Sequence, residues 1–90
     1  MSSVKFTTHL QRYFPTLTET TVKAKTVAEV ITAINEVYPG LAAYIVDERG
    51  RLRKHVIIFI DGEQIVDRTH LQDAVSETSQ VYVFQALSGG

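Results

Sequence analysis

One amphipathic helix with strand-like segments on both sides constrains the fold of this chain more than any other feature. Thr26 and Glu29 have the spacing of a capping box, in which a hydroxyl and a carboxylate bind free N–H groups at the start of a helix. Apolar residues then recur at helical spacing: Val27, Val30, Ile31, Ile34, Val37 and Tyr38. Pro39 and Gly40 end the helix. A single helix has to bury this stripe against another layer, and the rest of the chain predicts that layer to be a sheet.

Strand patterns occupy both ends of the chain. The four longer candidate strands are residues 4–8, 20–26, 56–60 and 81–87. Asp61 and Gly62 form a two-residue turn signal after the third of them, and a short returning strand follows. The order β, β, α, β, β, β predicts an α+β protein with one mixed sheet packed on one main helix. This is the β-grasp arrangement, in which the first and last strands pair in parallel at the centre of the sheet.

The composition excludes several classes of function. The chain has 90 residues, no cysteine and a formal net charge of −1, which excludes disulfides, thiolate metal sites and cysteine nucleophiles. The charge provides no field for nucleic acid or an anionic membrane. The apolar runs of the sequence, such as Val56–Ile60, are all far shorter than the roughly 20 residues of a membrane span. We therefore expect a single cytoplasmic domain with neither nucleic acid nor a membrane as its partner.

No catalytic or metal-binding motif is apparent. His9, His55 and His70 lie in separate segments without metal-ligand spacing, so no metal site is expected. The sequence has no nucleophile elbow and no phosphate-binding loop. We expect a chain that binds no cofactor and is not an enzyme by itself.

A basic cluster occupies the connection over residues 47–54. Its members are Arg49, Arg51, Arg53 and Lys54. Such a cluster could steer an acidic partner or bind a phosphate-bearing ligand. The alternative is a solvated loop, because Asp47 and Glu48 lie beside the cations and reduce their field.

The last strand runs almost to the end of the sequence, where Gly89 and Gly90 follow it. Two glycines at this place could be a frayed end. They could also form a reactive arm, because glycine has no Cβ and can pass extended through a narrow channel. We assign residues 1–87 to the β-grasp domain and residues 88–90 to a flexible tail.

This combination resembles the MoaD/ThiS family of sulfur carriers, which are relatives of ubiquitin. The resemblance covers nearly the whole chain and depends on the β-grasp order, the turn at Asp61 and Gly62, and the ending Val81-Tyr-Val-Phe-Gln-Ala-Leu-Ser-Gly-Gly90. The layout of residues 38–62 is most similar to the carriers of a cysteine-forming route. The loop at residues 76–80 departs from the family, whose members often have an Asp-Gly-Asp turn there.

The resemblance implies a carrier and not a catalyst. A partner activating enzyme would use ATP and Mg²⁺ to adenylate the Gly90 carboxylate, while Gly89 keeps the tail flexible. A sulfur donor would then convert the adenylate to a thiocarboxylate. A sulfur-accepting synthase would take the sulfur for cysteine, molybdopterin or a related metabolite. Some relatives have further residues after the two glycines, which a metalloprotease removes.

Strand alternation predicts the face that docks on the partners. If Ile58, Ile60, Val81 and Val83 face the helix, large apolar side chains stand on the open side of the sheet. The predicted partner-binding residues are Ile57, Phe59, Tyr82, Phe84, Leu87 and Ser88. In the alternative, the loops around residues 10–14 or 66–75 cover this face.

Two other functions fit the same residues. The first is a ubiquitin-like modifier, whose activated tail is joined to lysines of other proteins. The second is a noncovalent β-grasp interaction module in which the two glycines are incidental. Deletion of Gly90 separates the second from the others, because a binding module would keep its function.

Overall fold

The computed structural model describes residues 1–85, and its elements follow the predicted order. The strands are Ser2–Phe6 (β1), Thr20–Val22 (β2), Val56–Ile60 (β3), Glu63–Gln64 (β4) and Gln80–Gln85 (β5). The helices are Val27–Val37 (α1) and Ala42–Ile45 (α2), and Thr8–Arg12 forms a 3₁₀ helix. The sheet order is β2-β1-β5-β3-β4, with β1 and β5 parallel and the other pairs antiparallel. The predicted α+β fold with a β-grasp sheet is confirmed.

Helix α1 begins where the sequence predicts. The Thr26 Oγ1 atom accepts a hydrogen bond of 3.2 Å from the N–H of Glu29. The Glu29 carboxylate in turn accepts from the N–H of Lys25 at 3.0 Å, one residue before the position that a standard capping box uses. At the other end, Gly40 has a φ of +96°, and its N–H donates to the Asn35 side chain. These bonds define both ends of the helix.

The core lies between α1 and one face of the sheet. Val4, Ile34, Ile58, Val81 and Val83 are each at most 1% exposed. Because they come from the helix and from three adjacent strands, the core is continuous across the middle of the sheet.

The two long connections pack on the helix side of the sheet. Phe14 meets Tyr44 of α2 edge to face, with ring centroids 5.4 Å apart. Leu71 and Val75 are buried, and the Leu71 carbonyl accepts a bond of 2.9 Å from Ala28 at the start of α1. Both connections therefore complete the core and leave the outer face of the sheet uncovered by these contacts.

The connection after β4 is held together by two carboxylates. Asp67 accepts hydrogen bonds from the N–H groups of His70, Gln72 and Thr69 at 2.8, 3.2 and 3.2 Å. These bonds, the one from His70 first, hold the pKa of Asp67 below its ordinary value. Asp73 accepts from the N–H groups of Val66 and Asp67. A stretch that the sequence predicts to be irregular is thus an ordered loop.

Several features of the fold differ from the predictions. The second strand ends at Val22, not at residue 26, because Val22 pairs with Ser2, the first residue of β1. The segment after it bonds elsewhere, since the carbonyl of Lys25 accepts from the N–H of Val75 at 2.8 Å. The stretch predicted as a loop after β1 is the 3₁₀ helix. Val37, assigned to the apolar stripe of α1, is 55% exposed, because it lies in the last turn beyond the buried part of the helix. Strand β5 is described to Gln85, and its predicted end at residue 87 lies outside the described residues.

Candidate functional site

An apolar patch occupies the face of the sheet opposite the helix. In the β3–β5 register, Ile57 lies beside Phe84 and Phe59 lies beside Tyr82. Tyr82 and Phe84 are each 39% exposed, and their rings lie 6.2 Å apart. Ile57 and Phe59 are half-buried. The structure thus brings together the four side chains that strand alternation places here, and we call them the open-face patch; their role in docking stays a prediction.

A hollow of about 450 Å³ lies along this patch. Its walls include Phe59, Tyr82 and Phe84, with Lys5 on one side and Gly62 at one end. Lys5 pairs with Tyr82 across β1 and β5, so its exposed chain lies beside the aromatic rings. Asp61 and Gly62 have φ values of +51° and +87°, as the predicted two-residue turn requires. An exposed apolar hollow bordered by aromatic side chains is typical of surfaces that contact other proteins.

The predicted tail follows directly from strand β5. Gln85 lies opposite Val56 in the register, and its N–H donates to the Thr7 hydroxyl at 3.3 Å. The tail residues Leu87, Ser88, Gly89 and Gly90 lie outside the described residues, and their roles stay predictions. Five residues follow Gln85 in the sequence, and an extended segment of that length spans at most roughly 17 Å.

A second and larger cleft, of about 740 Å³, lies next to the open-face patch. Its lining includes Ile57 of the patch, Gln64 of β4 and a set of basic side chains: Arg51, Arg53, Lys54, His55 and Arg68. Of the basic cluster that the sequence shows, Arg49 is absent from this lining. Sequence reasoning missed Arg68, because a single arginine in an irregular segment gives no signal of its position. We call this site the basic cleft.

Hydrogen bonds order the connection that carries the basic cleft. The Asp47 carboxylate accepts from the N–H groups of Arg49 and Arg51 at 2.9 and 3.0 Å. These bonds, the one from Arg51 first, hold the pKa of Asp47 below its ordinary value. Leu52 is buried and takes part in a bridge with Val46. The connection is therefore a hydrogen-bonded turn with one apolar anchor, and Arg49, Arg51 and Lys54 in it are exposed to solvent, as predicted for a solvated connection.

Arg68 fixes the other wall of the basic cleft. Its two terminal nitrogens donate to the carbonyl oxygens of Val56 and Arg53 at 2.9 and 2.8 Å. The N–H of Leu52 donates to the Arg68 carbonyl at 2.9 Å. Arg68 thus joins the loop after β4 to the segment before β3 and sets the shape of the cleft.

No helix within residues 1–85 has the length and apolarity to cross a bilayer. Among the side chains that the structure describes, no three from His, Asp or Glu converge as metal ligands would.

The parallel pairing of β1 with β5, the single main helix and the open-face patch define a ubiquitin-like β-grasp domain. The sequence profile of the ThiS family matches residues 4–90. The chain belongs to the ThiS family, which places it among the sulfur carriers of ThiS type. The resemblance that the sequence shows is confirmed. A search of curated protein sequences gives no significant match.

Solved structures share the fold over the full chain. A chain of the BexX/CysO complex of Amycolatopsis orientalis is 20% identical, with a TM-score of 0.86 and 100% coverage of both chains. CysO of Mycobacterium tuberculosis is 20% identical, with a TM-score of 0.84 and coverage of 97% of this chain and 100% of that one. The small archaeal modifier protein 1 of Methanosarcina acetivorans is 21% identical, with a TM-score of 0.79 and coverage of 99% and 95%. At these identities the likeness shows the fold.

Proposed function

We propose that this chain carries sulfur as a thiocarboxylate on Gly90, formed after a partner activating enzyme has adenylated that residue. The observation that carries the proposal is the family match over residues 4–90, which extends through the two final glycines. The open-face patch supports it, because the patch lies on β5, the strand that leads into the tail. A partner that binds the patch would hold the tail at a fixed distance from its own active site.

Two substitutions account for the chemistry, the first at phosphorus and the second at the acyl carbon. A carboxylate oxygen of Gly90 attacks the α-phosphorus of ATP, and pyrophosphate leaves. Hydrosulfide from the sulfur donor then attacks the acyl carbon and loses its proton, and AMP leaves because it is a much better leaving group than an oxide. The product is a thiocarboxylate, a soft nucleophile that requires no cysteine in the carrier. ATP and Mg²⁺ belong to the activating enzyme in this proposal, and the carrier contributes the acyl group and its delivery.

In this proposal the domain provides docking and the tail provides reach. Tyr82 and Phe84 offer two aromatic anchors of the kind that dominates protein interfaces. The absence of a Cβ at Gly89 and Gly90 lets the tail enter a channel that branched residues would block. The domain therefore acts as a handle, and catalysis belongs to its partners.

The segment layout supports cysteine formation as the destination of the sulfur, with molybdopterin or another sulfur metabolite as alternatives. Protein modification is the second candidate function. The fold match to a small archaeal modifier protein favours it, and the same adenylate could react with a lysine amine in place of a sulfur donor.

The test is the intact mass of the chain after incubation with the host's activating enzyme, ATP and a sulfide source. We expect a gain equal to the exchange of one oxygen for one sulfur, and no gain in a chain that lacks Gly90. No change with an enzyme that is active on another carrier would contradict the proposal and favour a noncovalent module. Adducts on lysines of other proteins would favour the modifier.

A further inference from the structure

The residues that line the basic cleft carry a net positive charge. Four side chains that line it are cationic (Arg51, Arg53, Lys54 and Arg68), and one, Asp47, is anionic. The lining therefore has a formal charge of +3, on a chain whose overall formal charge is −1. Because the protein as a whole is slightly acidic, this positive charge is a local feature of one surface and does not follow from the overall composition.

Within residues 1–85, one ion pair involves these cations. It joins Arg51 Nε to an Asp47 oxygen at 3.6 Å. Arg68 donates to two backbone carbonyls, and Arg53 Nε donates to the Ala43 carbonyl at 2.9 Å. These acceptors are neutral, so they fix the guanidinium groups without cancelling their charge. Lys54 is exposed. Within residues 1–85, Asp47 therefore offsets one of the four cations, and hydrogen bonds to neutral carbonyls orient Arg53 and Arg68.

The basic cleft and the open-face patch form one continuous surface. Ile57 belongs to both, and Gln64 pairs with Phe59 and so faces the same side of the sheet. The cleft also lies at the end of the sheet where β5 finishes, because Val56 is opposite Gln85 and Lys54 precedes it by two positions. A protein that covers the patch and receives the tail would therefore contact the cleft as well.

We propose that the basic cleft binds an acidic surface of the protein partner that docks on the open-face patch. This inference rests on the proposed function and names the chemistry of the partner. Guanidinium groups match carboxylates in a two-point geometry, and Asp and Glu side chains around the mouth of a channel would supply such carboxylates. The beginning of the tail would then lie between an apolar contact on one side and a charged contact on the other.

The geometry favours a protein surface over the phosphates of ATP. In an extended tail the Gly90 carboxylate would lie up to roughly 17 Å from Gln85. The Debye length at physiological salt is about 8 Å, so the cleft would have little effect on a nucleotide at the far end of the tail. Its cations are close enough to act on the rim of the partner, where they would accelerate and orient docking.

The test compares two exposed lysines with the same charge change. Lys54→Glu reverses a charge in the basic cleft, and Lys23→Glu does so after β2, at the edge of the sheet opposite β4. The assay is ATP–pyrophosphate exchange by the host's activating enzyme, with KM and kcat measured for the carrier at low and at physiological salt. We expect Lys54→Glu to raise KM roughly five- to tenfold at low salt with kcat unchanged, and the effect to shrink at higher salt. Lys54→Gln should have a smaller effect in the same direction, and Lys23→Glu almost none.

The outcomes separate this inference from the proposed function. If the wild-type chain is activated but Lys54→Glu and Lys23→Glu have equal KM values, the acidic partner surface is refuted and the carrier function stands. If the wild-type chain is not activated by an active enzyme, the proposed function fails, and the inference fails with it. A titration of the ¹⁵N-labelled chain with inorganic phosphate supplies a third result. Saturable shifts confined to the basic cleft would replace the acidic surface by a phosphate ligand.

Discussion

Truncation of one exposed aromatic side chain should weaken docking on the activating enzyme without unfolding the domain. In Phe84→Ala, the ring that is 39% exposed is removed from the open-face patch. An aromatic side chain has a surface area of about 200 Å², so this exposed fraction leaves about 80 Å² for a partner to cover. At ~25 cal/mol per Å², covering that area contributes about 2 kcal/mol to the free energy of binding. We therefore expect KM for the activating enzyme to rise about 30-fold.

The same substitution has a cost in stability. The covered part of the ring, about 120 Å², contributes at most about 3 kcal/mol to the free energy of unfolding. A 90-residue domain has a total of roughly 5–13 kcal/mol at the usual value per residue. The folded form should therefore remain dominant, and the change in KM should report docking.

Val83→Ala is the matched control. Val83 precedes Phe84, faces the core and is 1% exposed. Loss of two methyl groups and the resulting cavity should reduce the free energy of unfolding by about 2–3 kcal/mol, similar to the loss in Phe84→Ala. Urea unfolding measures both losses, and ATP–pyrophosphate exchange measures both KM values. The reasoning is refuted if the two variants raise KM equally, or if Phe84→Ala changes KM less than threefold.

Three further substitutions test the core, the tail and the acid response. Ile58→Asp places a carboxylate at a position that is 0% exposed and should abolish the cooperative fold, whereas a native circular dichroism spectrum would reverse the assigned faces. Gly89→Val should inhibit activation of the wild-type chain as a competitor without itself gaining sulfur, and normal turnover of this variant would remove the narrow-channel argument. Hydrogen bonds from backbone N–H groups lower the pKa of Asp67 below its ordinary value of 3.8. The stability that its charge provides is therefore present above pH 3.8 and is lost as the pH falls through the lower pKa of the folded state. Urea midpoints should therefore decrease in acid less steeply for Asp67→Asn than for the wild type, and parallel pH profiles would contradict the role of Asp67.

The parts of the fold that the sequence predicts are those with a strong local period. Helix α1 follows from its cap and stripe, and β3 agrees with its prediction at both ends. The open-face patch is predictable for the same reason, since alternation in β3 and β5 assigns every second side chain to the outer face. One register then determines which of these side chains are neighbours.

The parts that were not predictable depend on bonds between distant segments. Residues 23–26 alternate as well as a strand does, but Val22 already lies opposite Ser2, where β1 begins, and the carbonyl of Lys25 accepts its bond from Val75. Arg68 enters the basic cleft through bonds to carbonyls 12 and 15 positions away, which no local pattern encodes. Asp67 and Asp73 order their loop by accepting hydrogen bonds from several backbone N–H groups. The composition of the loop does not reveal these bonds, so the loop looks irregular in the sequence.

The parallel pairing of β1 with β5 also determines when the domain becomes complete. Residues 3–6 pair with residues 80–83, and closing a loop of that length costs about 4 kcal/mol of chain entropy before any contact forms. Until β5 is in place, the sheet lacks its central strand and α1 has no continuous surface to cover. The strand that closes the core is also the one that displays Tyr82 and Phe84 and leads into the tail. A partner that binds this strand would therefore engage folded molecules and not incomplete ones, and under the proposed function only completely folded chains would be activated.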